Sequence, residues 1–341
     1  MIATDLLAKP DFHASYDAPS DPTINKPSAY DSRLDDSFVA IEWQAPWLCH
    51  LNQLSDISKA ITQLSVLKNE SAQPDKIENT PNIIAKVLNE ALHQQADDSQ
   101  QPLPQTKPAL NNQAQTLKFV SQDALPEGEA YESFIATTGN IPTRDNLHDL
   151  FNGSIWLTFP KTKALLNYYH MLEIEHQGIG ASRGRVRDTI TVFDENGAIL
   201  VTAEPSIGDA LIDFDWERSL VEPRKQWDKP ETLNSDSQAA VYIFGHALLE
   251  KLLQPRKALC AHSIVIHVTQ DFFALSLAER IYYLDQKVAD YMDALLSQSD
   301  VTPRKLSPLP ILGVPHFWAK NANSSFYDDS QVFRSGRRHK V

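Results

Sequence analysis

The sequence predicts an α+β fold: a mainly helical single domain with a small, mostly antiparallel sheet, a disordered N-terminal arm and an extended C-terminal strap. Three observations carry this. Apolar residues recur at helical spacing in several long stretches, while stretches that read as strands are few and short. Residues 1–37 are polar, with Pro10, Pro19, Pro22 and Pro27 among many Asp and Ser, a composition that buries too little to fold. Residues 306–334 are rich in proline and aromatic side chains yet have no period, so they pack as a strap, because their apolar groups need somewhere to go. The domain map is therefore an arm over 1–37, one domain over 38–335 with a mobile Gln/Pro-rich insertion over about 96–116, and a basic tail over 336–341.

The elements follow in order. Phe38 to His50 forms an apolar cluster with Trp43 and Trp47 either side of Pro46. Leu54, Ile57, Ile61, Leu64 and Leu67 mark a helix, and a polar connection over 69–80 leads to a second one from Pro81 through Ile84, Val87, Leu88 and Leu92. Leu117 to Val120 and Tyr131 to Ile135 read as short strands. A helix then opens at Asp145 or Asn146, either of which can cap it, and buries Leu147, Leu150, Phe151 and Ile155. Pro160 stops it and starts the next helix, which runs to His176 with Lys163, Asn167 and His170 on one stripe and ends at Gly178 and Gly180. Arg187 to Phe193 and Ala198 to Thr202 read as a hairpin around the DENG turn at 194–197. Asp215 caps a short helix with Trp216 and Leu220. Ala239 to Leu253 reads as a helix closed by Pro255, Ser263 to Thr269 as a strand, and Leu275 to Leu296 as helix.

Composition excludes several classes. The formal net charge of −13 argues against an extended nucleic-acid surface. Glycine is scarce, with 11 residues, and no G-x-S-x-G, P-loop or G-x-G-x-x-G occurs. Cys49 and Cys260 are the only cysteines, which fits a reducing cytoplasm. No apolar run is long enough to span a bilayer, and residues 1–30 lack the order of a signal peptide.

Candidate chemistry lies in three motifs. His148 and Asp149 are adjacent on a helix, and an imidazole with a carboxylate can share a proton or ligate a divalent metal. The competing reading ties Asp149 to an arginine and His148 to a neighbouring segment. His246 and Glu250 are four apart on a helix, which brings both heads to one face within reach of one metal. The expected metal set is His148, Asp149, His246 and Glu250. Arg183, Arg185 and Arg187 alternate, so on a strand they would share a side and, with Arg144 and Lys163, hold an anionic small molecule. The competing reading pairs them with Asp188, Asp194, Asp328 or Asp329. Cys49 and His50, adjacent on a helix, point apart, and Cys260 with His262 on one face of a strand lacks a third member, so both pairs read as structural.

The stretches HDLFNGSIWLTFPKTKALLN (148–167), RGRVRDTITVFDENG (183–197), FGHALLEKL (244–252) and PLPILGVPHFWAKNANSSFYDDSQVFR (308–334), with WQAPW at 43–47, resemble the marker motifs of a bacterial family catalogued as domain of unknown function 3025. The resemblance covers roughly residues 40–335. It implies relatives but no activity, so no catalytic residue is carried over from it. Two functional readings stand together. One is an enzyme or ligand-binding protein whose His/Asp/Glu/Arg cleft acts on an anionic small molecule by metal-assisted hydrolysis. The other is a non-catalytic binding or assembly protein whose motifs are structural.

Overall fold

In the computed structural model the described residues are 38, 41–51, 54–71, 82–108, 113–177 and 184–336. The arm over 1–37, the basic tail from Arg337, the helix stop at Gly178 and Gly180, Arg183 and most of the 69–80 connection lie outside them.

Helices α1 (Leu54–Ser71) and α2 (Ile83–Ser99) pack together near the start of the domain. Asn82 caps α2 by accepting the Ala85 N–H at 2.9 Å. Asp145 adds a cap from a distant loop, accepting the N–H groups of Ile84 at 2.9 Å and Ile83 at 3.3 Å. The last residues of α2 overlap the expected mobile insertion. Beyond them Gln105 bridges Thr116, and Thr106 is buried with its hydroxyl accepting the Gln115 N–H. More of this segment is built into the domain than its composition suggests.

Strand β1 (Lys118–Ser121), helix α3 (Tyr131–Thr138) and strand β2 (Asn140–Thr143) follow, with β1 and β2 parallel. Tyr131 to Ile135 is thus helical, not a strand. Short apolar runs do not separate the two states, and Phe134, Ile135 and Ala136 are buried in succession on α3. Helix α4 (Leu147–Thr158) is capped by Asn146, which leaves Asp145 free to serve α2. Helix α5 (Pro160–Gln177) begins at Pro160, as its sequence requires. Its first turn is held by Asp285, which accepts the Lys161 and Thr162 N–H groups at 2.9 Å each.

Two expectations fail in the next stretch. Arg185–Asn196 is helix α6, and strand β3 (Gly197–Thr202) follows it with no turn between. The expected 187–202 hairpin does not form, because Thr189, Ile190 and Phe193 also fit one face of a helix and are buried there. The expected 239–253 helix is split into strand β4 (Ala239–Ile243) and helix α8 (His246–Lys251). Val241, Tyr242 and Ile243 favour a strand, and all five residues of β4 are buried. Between β3 and β4 come helix α7 (Pro205–Ile212) and a short helical turn, Glu217–Val221, where Asp215 accepts the Arg218 N–H at 3.1 Å as expected of a cap.

Strand β5 (Cys260–His267), helix α9 (Leu277–Leu296) and strand β6 (Ser307–Pro310) complete the fold. Ser276 and Glu279 form a reciprocal capping box on α9. The main sheet has the order β4-β3-β5-β6. Its outer pairs are antiparallel and the central β3/β5 pair is parallel, in keeping with a mostly antiparallel sheet. Among the described residues no helix is long and apolar enough to cross a membrane.

Nearly all buried apolar residues join one continuous core. The strap belongs to it: Ile311, Leu312, Val314, Phe317 and Phe333 are all buried. Each such side chain contributes roughly 1.5–3 kcal/mol, against a net domain stability of about 5–15 kcal/mol. Truncation after Ser307 is therefore expected to give an insoluble or unfolded chain, and an unchanged thermal midpoint would show the strap to be dispensable.

The two residues of the Cys49–His50 pair serve different partners. The Cys49 thiol faces the Ala45 carbonyl, while the buried His50 ring donates from Nε2 to the Ile243 carbonyl at 2.7 Å. Burial lowers the His50 pKa from 6.5 to about 4, partly offset by that bond. The unfolded chain thus takes up a proton that the folded chain refuses. Stability should fall as pH drops from 6.5 towards 4, by up to roughly 3 kcal/mol from this residue. His50→Gln should flatten that part of a stability–pH curve measured by urea unfolding; an unaltered slope would contradict the assignment.

Candidate functional site

The site is set by a backbone contact between two glycines. Phe244 and Gly245 both donate their N–H groups to the Gly197 carbonyl, at 3.0 and 2.9 Å. A Cβ on Gly245 would lie 2.5 Å from the Gly197 nitrogen, so only glycine allows the approach. The contact brings the last turn of α6 beside the first turn of α8, and α4 packs against α8.

His148 on α4 and His246 on α8 meet at this junction, with their Nε2 atoms 3.2 Å apart. The rings cross at 86° with centroids 4.6 Å apart. A carboxylate stands behind each ring. Glu250 Oε2 is 3.1 Å from His148 Nδ1, and Asp194 Oδ2 is 3.8 Å from His246 Nδ1. The spacing of four on α8 places both His246 and Glu250 against His148. Lys163 holds Asp194 at 2.6 Å and reaches Asn152 Oδ1 at 3.0 Å, and the Asn152 amide donates to the Tyr131 hydroxyl at 3.1 Å. The side chains of His148 and Glu250 are 40% and 44% exposed, whereas that of His246 is 8% exposed, so the pair opens to solvent at one end only.

Burial lowers the His246 pKa to about 4; the charges of Lys163 and His148 act the same way, and Asp194 opposes them. His246 is therefore a neutral imidazole near neutral pH. Burial alone would raise the Asp194 pKa. The Lys163 charge and hydrogen bond, together with His246, outweigh that and hold it below the ordinary carboxylate value.

The other expected site residues are placed elsewhere. Asp149 is turned away from the histidines: Arg144 grips both its oxygens through Nε at 3.0 Å and Nη2 at 2.9 Å, and the Arg144 backbone N–H adds a third bond at 2.7 Å. These two residues clamp the start of α4. Arg185 and Arg187 lie on a helix, where a separation of two sends them to different sides, so the expected row of guanidinium groups does not form. Arg185 is exposed, and Arg187 is half-buried. Lys163 is committed to Asp194. Of the expected metal set, His148, His246 and Glu250 are brought together and Asp149 is not. Among the described residues no three or more His, Cys, Asp and Glu side chains converge on one point, because Glu250 stands behind the His148 ring rather than beside the facing nitrogens.

Asn152 and Tyr131 also belong to the site. Asp194 reads in the sequence as a turn residue and as an ion-pair partner of the basic residues, not as the carboxylate behind His246. The signal that could have found it is the spacing of seven between Arg187 and Asp194, which puts both on one helical stripe opposite Lys163 and His170.

The seam between these helices gathers buried polar atoms that no described group satisfies: Trp156 Nε1, Asn167 Oδ1, His170 Nδ1, Arg187 Nε and His246 Nδ1. Each such atom costs about 1–3 kcal/mol when it stays unpaired. A core built only for packing would fill the same space with apolar groups.

Lys163→Met should leave the Asp194 charge uncompensated and destabilise the protein by roughly 3–5 kcal/mol. The double variant with Asp194→Asn should lose less than the sum of the single losses in urea unfolding. Strict additivity would show that the two residues are not coupled.

No curated protein and no solved structure matches the chain. A family model described as protein of unknown function, DUF3025, matches residues 117–337, which include every site residue from Tyr131 to Glu250 but not the WQAPW motif. The match spans well over half the sequence, and the chain belongs to the DUF3025 family of proteins of unknown function.

Proposed function

We propose that the protein is a metal-assisted hydrolase of an anionic small molecule, with His148 and His246 as the metal ligands. One observation carries the reading: two imidazole Nε2 atoms face each other at 3.2 Å, and each ring has a carboxylate behind its Nδ1. An ion about 2.0–2.1 Å from both nitrogens would see them at an angle of about 100°, close to tetrahedral. Carboxylates behind Nδ1 fix each ring in the tautomer whose Nε2 lone pair is free. On this reading Glu250 orients His148 and Asp194 orients His246. The unpaired His246 Nδ1 then has its purpose, as an N–H donor to Asp194 when an ion draws the ring into place.

Bound there, a divalent ion of the zinc type supplies Lewis acidity and a water of lowered pKa. Two protein ligands leave the other positions to water and substrate. The exposed edge of His148 and Glu250 is the entry, and Glu250 acts through His148 by holding its Nδ1. Lys163 keeps Asp194 ionised, and Arg144 keeps Asp149 out of the ligand set. The positive charge left to meet the substrate's anionic group is that of Arg187. Two free cysteines support a reducing, cytoplasmic setting for this chemistry.

The test is metal binding by the full chain after stripping with chelator. Titrated with cobalt(II) or zinc(II), the protein should take up a single ion per chain. The double variant His148→Asn/His246→Gln should stay folded and lose that ion. Glu250→Gln should weaken binding by about 10- to 100-fold, as expected when the partner behind a ligating histidine is removed. Absence of binding by the folded protein would end the proposal. Binding with no hydrolysis of carboxylic or phosphoric esters would favour the non-catalytic reading.

A further inference from the structure

The polar seam continues past Asp194 to a second end. On α5, His170 lies seven residues beyond Lys163; on α6, Arg187 lies seven residues before Asp194. Lys163 pairs with Asp194, so the equal steps bring His170 and Arg187 opposite each other, about 10 Å further along the helices. Arg187 makes no hydrogen bond or ion pair with a described residue, and its Nε is buried. His170 Nδ1 is also buried and unpaired. Asn167, only 3% exposed, lies between Lys163 and His170 on α5 with Oδ1 unpaired. Its amide holds the Glu132 carboxylate at 2.6 Å, and among the described residues Glu132 forms no ion pair with Arg187. A guanidinium in a partly buried setting with no acid against it matches the planar oxygens of a carboxylate or phosphate. Burial holds the His170 pKa below its ordinary value against the opposing Glu132 and Asp194 carboxylates, with the charges of Arg187 and Lys163 acting the same way as burial, and a neutral ring can donate one N–H.

We propose that Arg187 and His170, backed by Asn167, form an oxyanion-binding subsite that takes the carboxylate or phosphate of the substrate, about two helical turns from the histidine pair. The assignment of this anion to a substrate rests on the hydrolase reading above; the binding of the anion itself does not. It singles out one arginine of the expected row and adds His170 and Asn167 to it.

The experiment is calorimetric titration of the full chain with inorganic phosphate and, separately, with malonate, each with and without zinc. The wild-type protein should bind at least one of the two anions. Phosphate alone would indicate a phosphate ester as substrate, malonate alone a carboxylate, and either supports the subsite. Arg187→Gln should weaken that binding by about 10- to 100-fold, the range for a charged hydrogen-bonded contact, and His170→Asn by a smaller factor, with zinc binding unchanged in both. His148→Asn/His246→Gln should bind the anion as the wild type does, which separates failure of the subsite from failure of the metal centre. Where Arg187→Gln does not fold, Arg187→Lys takes its place, since it keeps the charge but loses the two-pronged contact, and it should also bind more weakly. No anion binding, or equal binding by the folded Arg187 variant, overturns the proposal.

Discussion

Everything in the site depends on the close approach of Gly197 and Gly245. At Gly197 the chain passes from α6 straight into β3, and a Cβ there would sit 2.2 Å from the Phe193 carbonyl oxygen. At Gly245 it passes from β4 into α8 and meets the Gly197 backbone. Since β3 and β4 are paired neighbours, the two junctions fall side by side at one end of the sheet. That geometry sets Asp194 near His246, and the packing of α4 on α8 then adds His148. A side chain at Gly245 would push α8 off the end of α6, and the facing imidazoles with it, while one at Gly197 would clash with Phe193 of α6.

The seam that follows from this junction is expensive to fold. Lys163 is buried, Asp194 is largely buried, and several donors and acceptors around them are left unpaired. The protein also uses buried charge where it is fully satisfied. Arg280 is completely buried, yet its guanidinium bonds Asp228 and the carbonyls of Phe273 and Leu275. The two buried ion pairs differ in how completely their surroundings are satisfied. Around Arg280 the hydrogen bonds close on themselves, whereas beside the Lys163–Asp194 pair the buried His246 Nδ1 is left unpaired among the described residues.

The legible parts of the fold were those whose local signals agree. Pro160, the Asn146 cap and the apolar stripes of α4 and α5 all point one way, as do Ser276, Glu279 and the stripe of α9. Misreadings arose where a pattern fitted two periods. Residues 187–193 alternate, but Thr189, Ile190 and Phe193 also share a helix face, and the parallel neighbour β5 that makes β3 a central strand is remote in sequence. The strand–helix break inside 239–253 was hidden because its marker, Gly245, is explained only by Gly197. Within the site, the spacing of His246 and Glu250 and the His148 motif could be read directly. That Asp149 pairs with an arginine is one of two readings the sequence leaves open, without naming Arg144, and that Asp194 stands behind His246 depends on a contact between distant segments.

The convergence of the two imidazoles on one ion is the central claim, and anomalous diffraction from zinc-loaded crystals tests it most directly. The account predicts a single anomalous peak at about 2.0–2.1 Å from the Nε2 atoms of both His148 and His246, with Glu250 and Asp194 bonded to the two Nδ1 atoms. A peak bound to other side chains, or a zinc-loaded crystal with no peak between these two nitrogens, would contradict it.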